Sequence, residues 1–266
     1  MESTTILSGD ASSSRVVAVG PHFVVKHGGG VSEIEGQNLL FLEQHAKNQI
    51  TVPKLYAMYR TLSTGHLCLI MERLQGDTLE VLWPGLEEKE KSAVCTELKK
   101  AIDALRELPA PGFYGGVGRT CIPYHLFWDR EQRKEICGPF NSESEFNAGF
   151  VNRIRSNDEL NGGYITPKAD FYERHIDSML SKHAPVFTHS DLQRKNILVH
   201  RRSENAFEVA LIDWETAGWY PSYWEYSLKF ATMKWKGDWP RRLEEVVEPW
   251  PNESVVLRML YQDLWF

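Results

Sequence analysis

The chain has 266 residues, of which 42% are hydrophobic and 25% are charged. This composition is typical of a globular protein long enough for one large domain or two closely packed lobes. The formal net charge of −6 argues against a nucleic-acid partner, because proteins that track phosphates usually carry a basic surplus.

The chain shows no sign of export or of a membrane span. Residues 1–10 are polar, and no apolar run approaches the roughly 20 residues that cross a bilayer. The four cysteines form no CxxC pair and are expected to be reduced thiols. We therefore expect a soluble, cytoplasmic protein without a membrane partner, and a monomer is the default expectation.

The first third of the chain is predicted to be rich in strands. Four β-branched or apolar segments carry this prediction: Val16–Val19, His22–Lys26, Val52–Tyr59 and His66–Glu72. Gly20-Pro21 separates the first two segments and predicts a hairpin. Apolar residues between Ile34 and about Ala46 recur at helical spacing, and Ser32 is a suitable N-cap for that helix.

After Arg73–Asp77 the pattern becomes mainly helical. Helices are predicted over Leu86–Leu108 and near Ser144–Ile154 and Asp170–Lys182, where apolar residues recur on one face. The fold class expected is α+β and bilobal, with a small β-rich N-lobe over residues 1–74 and a larger helical C-lobe over residues 75–266.

One polar loop between two apolar strands carries the strongest chemical signal. His189, Asp191 and Asn196 stand in it with the spacing HxDxxxxN, and the apolar run Val209–Ile212 ends in Asp213. Loops at strand ends are common places for catalytic groups, because the scaffold holds them while leaving them exposed.

These residue types suit phosphoryl transfer, which needs an oriented hydroxyl and divalent cations that neutralise the phosphates. Asp191 can orient the hydroxyl and accept its proton, while His189 is expected to hold the loop by a hydrogen bond. Asn196 and Asp213 offer hard oxygen ligands that suit Mg²⁺.

The segments His189–Asn196 and Ile212-Asp213 resemble the catalytic loop and metal motif of aminoglycoside phosphotransferases and choline kinases, which are relatives of the protein kinases. Further similar segments resemble fungal members of that group in particular: Phe23–Lys26, Val31–Gly36, Val52–Lys54, Ile70–Glu72 and Trp219–Pro221. The resemblance covers roughly residues 15 to 235. It implies a protein-kinase-like fold with the nucleotide in the N-lobe and the catalytic loop, metal site and acceptor site in the C-lobe.

The resemblance also implies roles for residues of the predicted N-lobe. Lys26 would contact the α- and β-phosphates, and Glu35 would pair with Lys26. The backbone from Glu72 to Leu74 would form the hinge that reads the adenine edge. Gly9–Ser14, which lies before the first predicted strand, is a poor match to a nucleotide-covering loop and equally suits an unstructured tail.

Glu35 has a second interpretation. Ser32-x-x-Glu35 is also a capping box, in which Glu35 bonds back to the Ser32 amide and has no role in nucleotide binding. Glu33 is then the alternative partner of Lys26.

The resemblance implies a Mg²⁺-dependent phosphotransferase that uses ATP, with GTP possible, and a small-molecule hydroxyl as acceptor. A small acceptor is favoured because Asp213 is soon followed by Pro221 and a helix predicted from Tyr223, which leaves little room for a peptide-docking activation segment. Ser190 also replaces the arginine that receives the activation-loop phosphate in many protein kinases. The alternative is a nucleotide-binding pseudokinase or scaffold, or a kinase-fold enzyme repurposed to act on a metabolite.

The resemblance implies an aminoglycoside-like compound, an amino alcohol or a secondary metabolite as acceptor. It would bind opposite Asp191, between the insert around residues 119–183 and the C-terminal helices. Acidic residues in this region could receive an amino sugar or could simply be surface charges: Glu143, Glu145, Asp158, Glu159 and Asp170. Aromatic residues after Asp213 could form a cage for a quaternary ammonium group, although core packing is the commoner use of such residues.

Overall fold

The computed structural model describes residues 4–10, 13–161, 166–204 and 206–265. The strands of this part are β1 (Thr4–Asp10), β2 (Ser14–Val19), β3 (Phe23–Gly28), β4 (Leu55–Arg60), β5 (Leu67–Glu72), β6 (Asp77–Thr78), β7 (Pro185–Thr188), β8 (Ile197–Ser203), β9 (Ala206–Leu211) and β10 (Gly218–Pro221). The helices are α1 (Glu33–His45), α2 (Leu79–Leu82), α3 (Glu88–Arg106), α4 (Lys134–Cys137), α5 (Glu143–Asn161), α6 (Thr166–Met179), α7 (Trp224–Thr232), α8 (Trp239–Val246) and α9 (Pro251–Trp265). None of the helices in these ranges is both long and apolar enough to cross a membrane.

The chain divides into two compact units. The first unit comprises Met1–Ala104 and Gln193–Glu215, and the second comprises Leu105–Leu192 and Thr216–Phe266. The first contains antiparallel sheets together with α1 and most of α3, and the second is mostly helical, which agrees with the predicted α+β class.

The main sheet of the first unit is antiparallel, with strand order β1-β2-β3-β5-β4. The predicted hairpin is confirmed: β2 and β3 pair so that Lys26 lies opposite Val16, and on the other side Lys26 lies opposite Leu69 of β5. Strand β1 was not expected. Gly9–Ser14 therefore connects β1 with β2 instead of preceding the first strand, and residues 11 and 12 of this connection lie outside the described residues.

Helix α1 begins where the sequence predicts. The Ser32 hydroxyl accepts a hydrogen bond from the Ile34 amide at 3.2 Å and so satisfies one of the free donors of the first turn. Gly36 lets the helix approach the sheet, because a Cβ at this position would lie 2.7 Å from the sulfur of Met58. Leu39 is buried on the same helix.

A second sheet of the first unit has the order β6-β8-β9. β6 pairs with β8, and the Leu211 amide at the end of β9 donates to the Thr51 carbonyl at 3.1 Å. These bonds group residues 193–215 with the first unit. The first packing unit therefore combines residues 1–104 with residues 193–215, and the division into lobes at residue 74 stays a prediction.

The second unit is built around an aromatic core. Its helices α4 to α9 and the short pair β7–β10 surround buried rings that include Phe127, Phe146, Tyr220 and Trp224. Tyr220 and Trp224 stack with ring centroids 4.9 Å apart. Helices α5 and α6 confirm the two helices predicted in this region, with α5 extending beyond the predicted end and α6 beginning before the predicted start.

A glycine in the turn before β6 provides a test of how closely that turn packs against β8 in the first unit. Gly76 has φ +114°, and a Cβ there would lie 2.5 Å from the backbone oxygen of Val199. Gly76→Ala should therefore lower the free energy of unfolding by about 1–3 kcal/mol, since both the backbone conformation and the close approach exclude a side chain. Urea unfolding monitored by circular dichroism measures this.

The matched control is Gly85→Ala. Nothing lies within 4 Å of a Cβ at Gly85. The control should change the free energy of unfolding by no more than about 0.5 kcal/mol. Equal effects of the two substitutions would show that the close approach at Gly76 is not a constraint on the fold.

Candidate active site

The β8–β9 hairpin places Asn196 and Asp213 at the same end of a sheet. Asn196 directly precedes β8, Asp213 follows two residues after β9, and Ile197 lies opposite Leu211. The Ile212 amide donates to the Asn196 carbonyl at 3.0 Å and extends the pairing by one step. The antiparallel register therefore brings together two polar residues that are separated by a whole hairpin in sequence.

Asp213 has a left-handed backbone conformation with φ +66°. Aspartate tolerates this region better than most residues, and such conformations are concentrated at functional sites. The turn directs the chain after β9 so that the Asp213 carboxylate lies 2.8 Å from the Lys26 ammonium group.

Lys26 is buried and surrounded by three carboxylates. Its Nζ lies 2.7 Å from Glu35, 2.8 Å from Asp213 and 3.1 Å from Glu215, while only 7% of the residue is exposed. Burial alone lowers a lysine pKa, but here the carboxylates outweigh burial and hold the pKa of Lys26 above its usual value. The lysine remains charged within the fold.

Glu35 contacts Lys26 and not the capping position. The Ser32 hydroxyl caps the helix by itself, while the Glu35 side chain, 3% exposed, points to the lysine. Burial raises the pKa of Glu35 to about 6, and the Lys26 charge opposes that shift. Glu33, the alternative partner, instead pairs with Arg60 at 2.7 Å near the surface.

Glu215 belongs to the same cluster and was not singled out from the sequence. Glu35, Asp213 and Glu215 each offer a carboxylate oxygen, and these oxygens lie within 4.8 Å of one another. Trp214 between them is fully buried, and its carbonyl accepts a hydrogen bond from Asn38 at 2.7 Å. The signal available in the sequence was a second carboxylate two residues after Asp213, at the end of the same apolar run.

The predicted hinge, Glu72 to Leu74, begins at the last residue of β5. The amide of Glu72 donates to Lys54 and that of Arg73 donates to His22, so both are used within the sheet. A cavity of about 700 Å³ opens beside this segment and is lined by Glu72, Leu74 and Tyr56 among others. Lys26, Asn196 and Asp213 are not among its lining residues.

Asp191 lies in the second unit, in a loop held by several hydrogen bonds. The Asp191 amide donates to the His189 ring at 3.2 Å, so His189 holds the loop as expected. The Ser190 amide donates to Glu225 at 2.9 Å, and the Ser190 hydroxyl accepts from the Trp224 indole at 2.8 Å. Ser190 has φ +67°, a second left-handed conformation in a polar loop.

A lysine that the sequence did not single out lies against Asp191. Lys229 of α7 is 5% exposed, and its Nζ is 3.1 Å from the Asp191 carboxylate. The Asp191 charge interacts with Tyr124 and His125 of the same unit. Burial lowers the pKa of His125, and the Asp191 charge opposes that shift. No sequence spacing indicates the Lys229 contact, because the two residues are 38 positions apart.

The acidic residues considered for an amino sugar have partners within the second unit. Glu143 bonds to His183, Glu145 bonds to Asn141, and Asp170 pairs with Arg155. The side chains of Asp158 and Glu159 lie outside the described residues. Glu143, Glu145 and Asp170 are therefore engaged in contacts within the unit.

The aromatic residues after Asp213 are mostly core residues. Those that are buried are Trp214, Trp219, Tyr220, Tyr223, Trp224 and Trp239. Trp235 is exposed and contacts Phe230 edge to face at 4.9 Å. This burial supports core packing over a cage for a quaternary ammonium group.

Several solved structures with the same fold are aminoglycoside phosphotransferases. The apo form of a thermostable mutant of APH(4)-Ia is 18% identical, with a TM-score of 0.65 over 99% of this chain and 87% of that chain. ADP-bound APH(2″)-Ib is 15% identical, with a TM-score of 0.64 over 98% and 84%. The gentamicin complex of APH(2″)-IIa is 15% identical, with a TM-score of 0.63 over 98% and 83%. These matches confirm the expected protein-kinase-like fold.

The sequence comparisons agree with the fold. No curated protein sequence matches the chain. The family model described as the phosphotransferase enzyme family matches residues 3–245. Its match spans β3, the catalytic-loop motif and the Asp213 segment, and the chain therefore belongs to the phosphotransferase enzyme family.

Proposed function

We propose that the protein transfers the γ-phosphoryl group of ATP to a hydroxyl of a small molecule in a Mg²⁺-dependent reaction. The observation that carries the proposal is the buried Lys26, held by Glu35, Asp213 and Glu215, in a member of a phosphotransferase family. Solved relatives of the same fold include a ternary complex of APH(4)-Ia with ADP and hygromycin B. A nucleotide and a hydroxyl acceptor are thus consistent with what structures of this fold bind.

Lys26 is the proposed ligand of the α- and β-phosphates. Its ammonium group already has three oxygen partners, so phosphate oxygens can replace some of them without leaving the charge unpaired. Glu35 keeps the lysine in place during this exchange. For the adenine edge, the amides of Glu72 and Arg73 already donate to Lys54 and His22, so the Leu74 amide is the proposed donor and the Glu72 carbonyl the proposed acceptor.

Asn196 and Asp213 are the proposed ligands of Mg²⁺. Glu215 is proposed as a further ligand, because its carboxylate lies close to that of Asp213. The clustered carboxylate oxygens are hard donors, and Mg²⁺ is usually held by one or two carboxylates together with water and substrate phosphates. The residues present therefore fit this ion. When bound, it supplies neutralisation of the charge on the phosphate oxygens.

Asp191 is the proposed catalytic residue. Its carboxylate would accept a hydrogen bond from the acceptor hydroxyl, orient that oxygen for attack and take its proton as the new P–O bond forms. The Asp191 amide donates to His189, and Ser190 bonds to Trp224 and Glu225, so the loop that carries this carboxylate is held before the acceptor arrives. Such positioning is the main contribution a protein makes to phosphoryl transfer.

Substitution of the proposed metal ligand tests the nucleotide proposal directly. Wild-type protein should bind ATP in calorimetry more tightly with Mg²⁺ than without it. Asp213→Ala should weaken Mg²⁺-dependent binding by at least about tenfold, equivalent to about 1.4 kcal/mol, because a charged ligand of the cation is lost. Asp103→Ala removes an exposed carboxylate of the same unit and should leave binding unchanged. Failure of both ATP and GTP to bind wild type under any metal condition would refute the proposed function.

The contact between Glu35 and Lys26 can be tested with a neighbour on the same helix. Glu35→Gln should weaken ATP binding by about three- to tenfold, because Lys26 loses one of its charged partners. Glu33→Gln makes the same chemical change at an exposed position that pairs with Arg60, and should have no effect on affinity. Calorimetry with Mg²⁺–ATP measures both variants. A larger loss of affinity in Glu33→Gln than in Glu35→Gln would show that Glu33, and not Glu35, is the partner that matters for nucleotide binding.

The role of Asp191 should show in turnover and not in nucleotide affinity. Asp191→Asn is expected to bind Mg²⁺–ATP within about threefold of wild type and to lower phosphoryl transfer by roughly 10²–10⁴-fold. Transfer to sugars and alcohols is followed by product mass, and transfer to water by phosphate release. Glu107→Gln, an exposed carboxylate of the same unit, is the control. Undiminished transfer by Asp191→Asn would exclude this residue as the catalytic group.

A further inference from the structure

Lys229 is a buried charge with a defined place in the second unit. Its residue exposure is 5%, and the ammonium group lies 3.1 Å from the Asp191 carboxylate. Lysine is almost never buried unless it is paired, because removing the ammonium from water is costly. The position of Lys229 therefore depends on Asp191, and equally the Asp191 carboxylate has a fixed cation beside it.

Helix α7 presents two charges to the same loop. Glu225 and Lys229 are four residues apart and so lie on one face of the helix. Glu225 accepts the hydrogen bond of the Ser190 amide, and Lys229 binds the Asp191 side chain. The glutamate thus holds the backbone of the loop, while the lysine sets the charge at its proposed catalytic residue.

The Asp191–Lys229 pair has no net charge. Burial lowers the pKa of the nearby His125, so this ring adds no lasting positive or negative charge at neutral pH. Without Lys229, the negative charge of Asp191 would attract an acceptor with several ammonium groups.

We propose that Lys229 is a specificity-determining residue that excludes acceptors with an ammonium group beside the reacting hydroxyl. The acceptor is then an oxygen-rich, non-amino hydroxyl compound such as a sugar, a sugar acid or a polyol. This inference rests on the proposed function, in which the acceptor hydroxyl binds Asp191. It separates the chain from structural relatives such as APH(2″)-IIa, which has been solved with the amino sugar gentamicin.

The physical reason is charge repulsion at short range. A hydroxyl that hydrogen-bonds to Asp191 lies within a few ångströms of the Lys229 ammonium group, since both contact the same carboxylate. An ammonium group on the next carbon of the acceptor is a like charge at about the same distance. In the partly buried surroundings this repulsion weakens binding by at least about tenfold.

Gentamicin is a suitable polycationic probe. Binding to the full chain loaded with Mg²⁺–ADP is measured by calorimetry for wild type, Lys229→Met, Lys229→Arg and Lys234→Met. Lys229→Met removes the cation and leaves Asp191 negative, so gentamicin should bind at least tenfold more tightly than to wild type. Lys229→Arg keeps the charge and should match wild type. Lys234 is an exposed lysine of the same unit, so Lys234→Met controls for the change in total charge.

A double variant shows whether the effect acts through Asp191. In Asp191→Asn/Lys229→Met both charges are absent, and the tighter binding of gentamicin should disappear. Persistence of the gain in the double variant would place the effect elsewhere and overturn the proposal. Equal gentamicin affinity of wild type and Lys229→Met, including no detectable binding to either, would overturn it as well.

Wild type alone supplies a test that does not depend on how well a variant folds. Incubation with Mg²⁺–ATP and gentamicin should give no phosphorylated gentamicin by mass, and a phosphorylated product would overturn the inference. Nucleotide binding distinguishes this failure from failure of the proposed function. If ATP binds normally and gentamicin is accepted, only the role of Lys229 is wrong, whereas loss of all nucleotide binding refutes the phosphotransferase proposal itself.

Discussion

The buried ammonium group of Lys26 is the interaction on which the arrangement of the first unit depends. It joins strand β3, helix α1 and the segment after β9, three parts of the chain that are far apart in sequence. A buried lysine without partners would destabilise the unit by several kcal/mol, so the three carboxylates and the lysine require one another. The bonds from Asn38 to Trp214 and from Leu211 to Thr51 tie the same segments together through neutral groups.

The second unit also buries polar groups, and there aromatic residues of the core help to satisfy them. The loop that carries Asp191 is polar, yet its neighbours His189 and Ser190 are fully buried. A buried polar loop must have its hydrogen bonds satisfied, and the indole of Trp224 with the carboxylate of Glu225 provides them. The aromatic residues that follow Asp213 in sequence thus support the loop from the core.

The proposed nucleotide and metal site in the first unit and the proposed catalytic residue in the second unit differ in their local charge. In the first unit one cation is surrounded by three carboxylates, an arrangement that suits exchange with phosphates and a divalent cation. In the second unit one carboxylate is balanced by Lys229, an arrangement that suits a hydroxyl acceptor without its own positive charge. The family match shows the chain to be a phosphotransferase, and these local charges support the proposed division of roles.

The sequence by itself determined the fold class, the hairpin that carries Lys26, and the motif residues Asp191, Asn196 and Asp213, because these follow from local periodicity and short spacings. It left the partner of Lys26 open between Glu35 and Glu33, and it indicated neither Glu215 nor Lys229. Only the tertiary structure decided these contacts, since Lys26 and Asp213 are 187 positions apart and their meeting depends on how the β8–β9 hairpin lies against α1. Periodicity indicates which face of an element is buried, but the choice among nearby charges is made by the packing of whole elements, which no local pattern encodes.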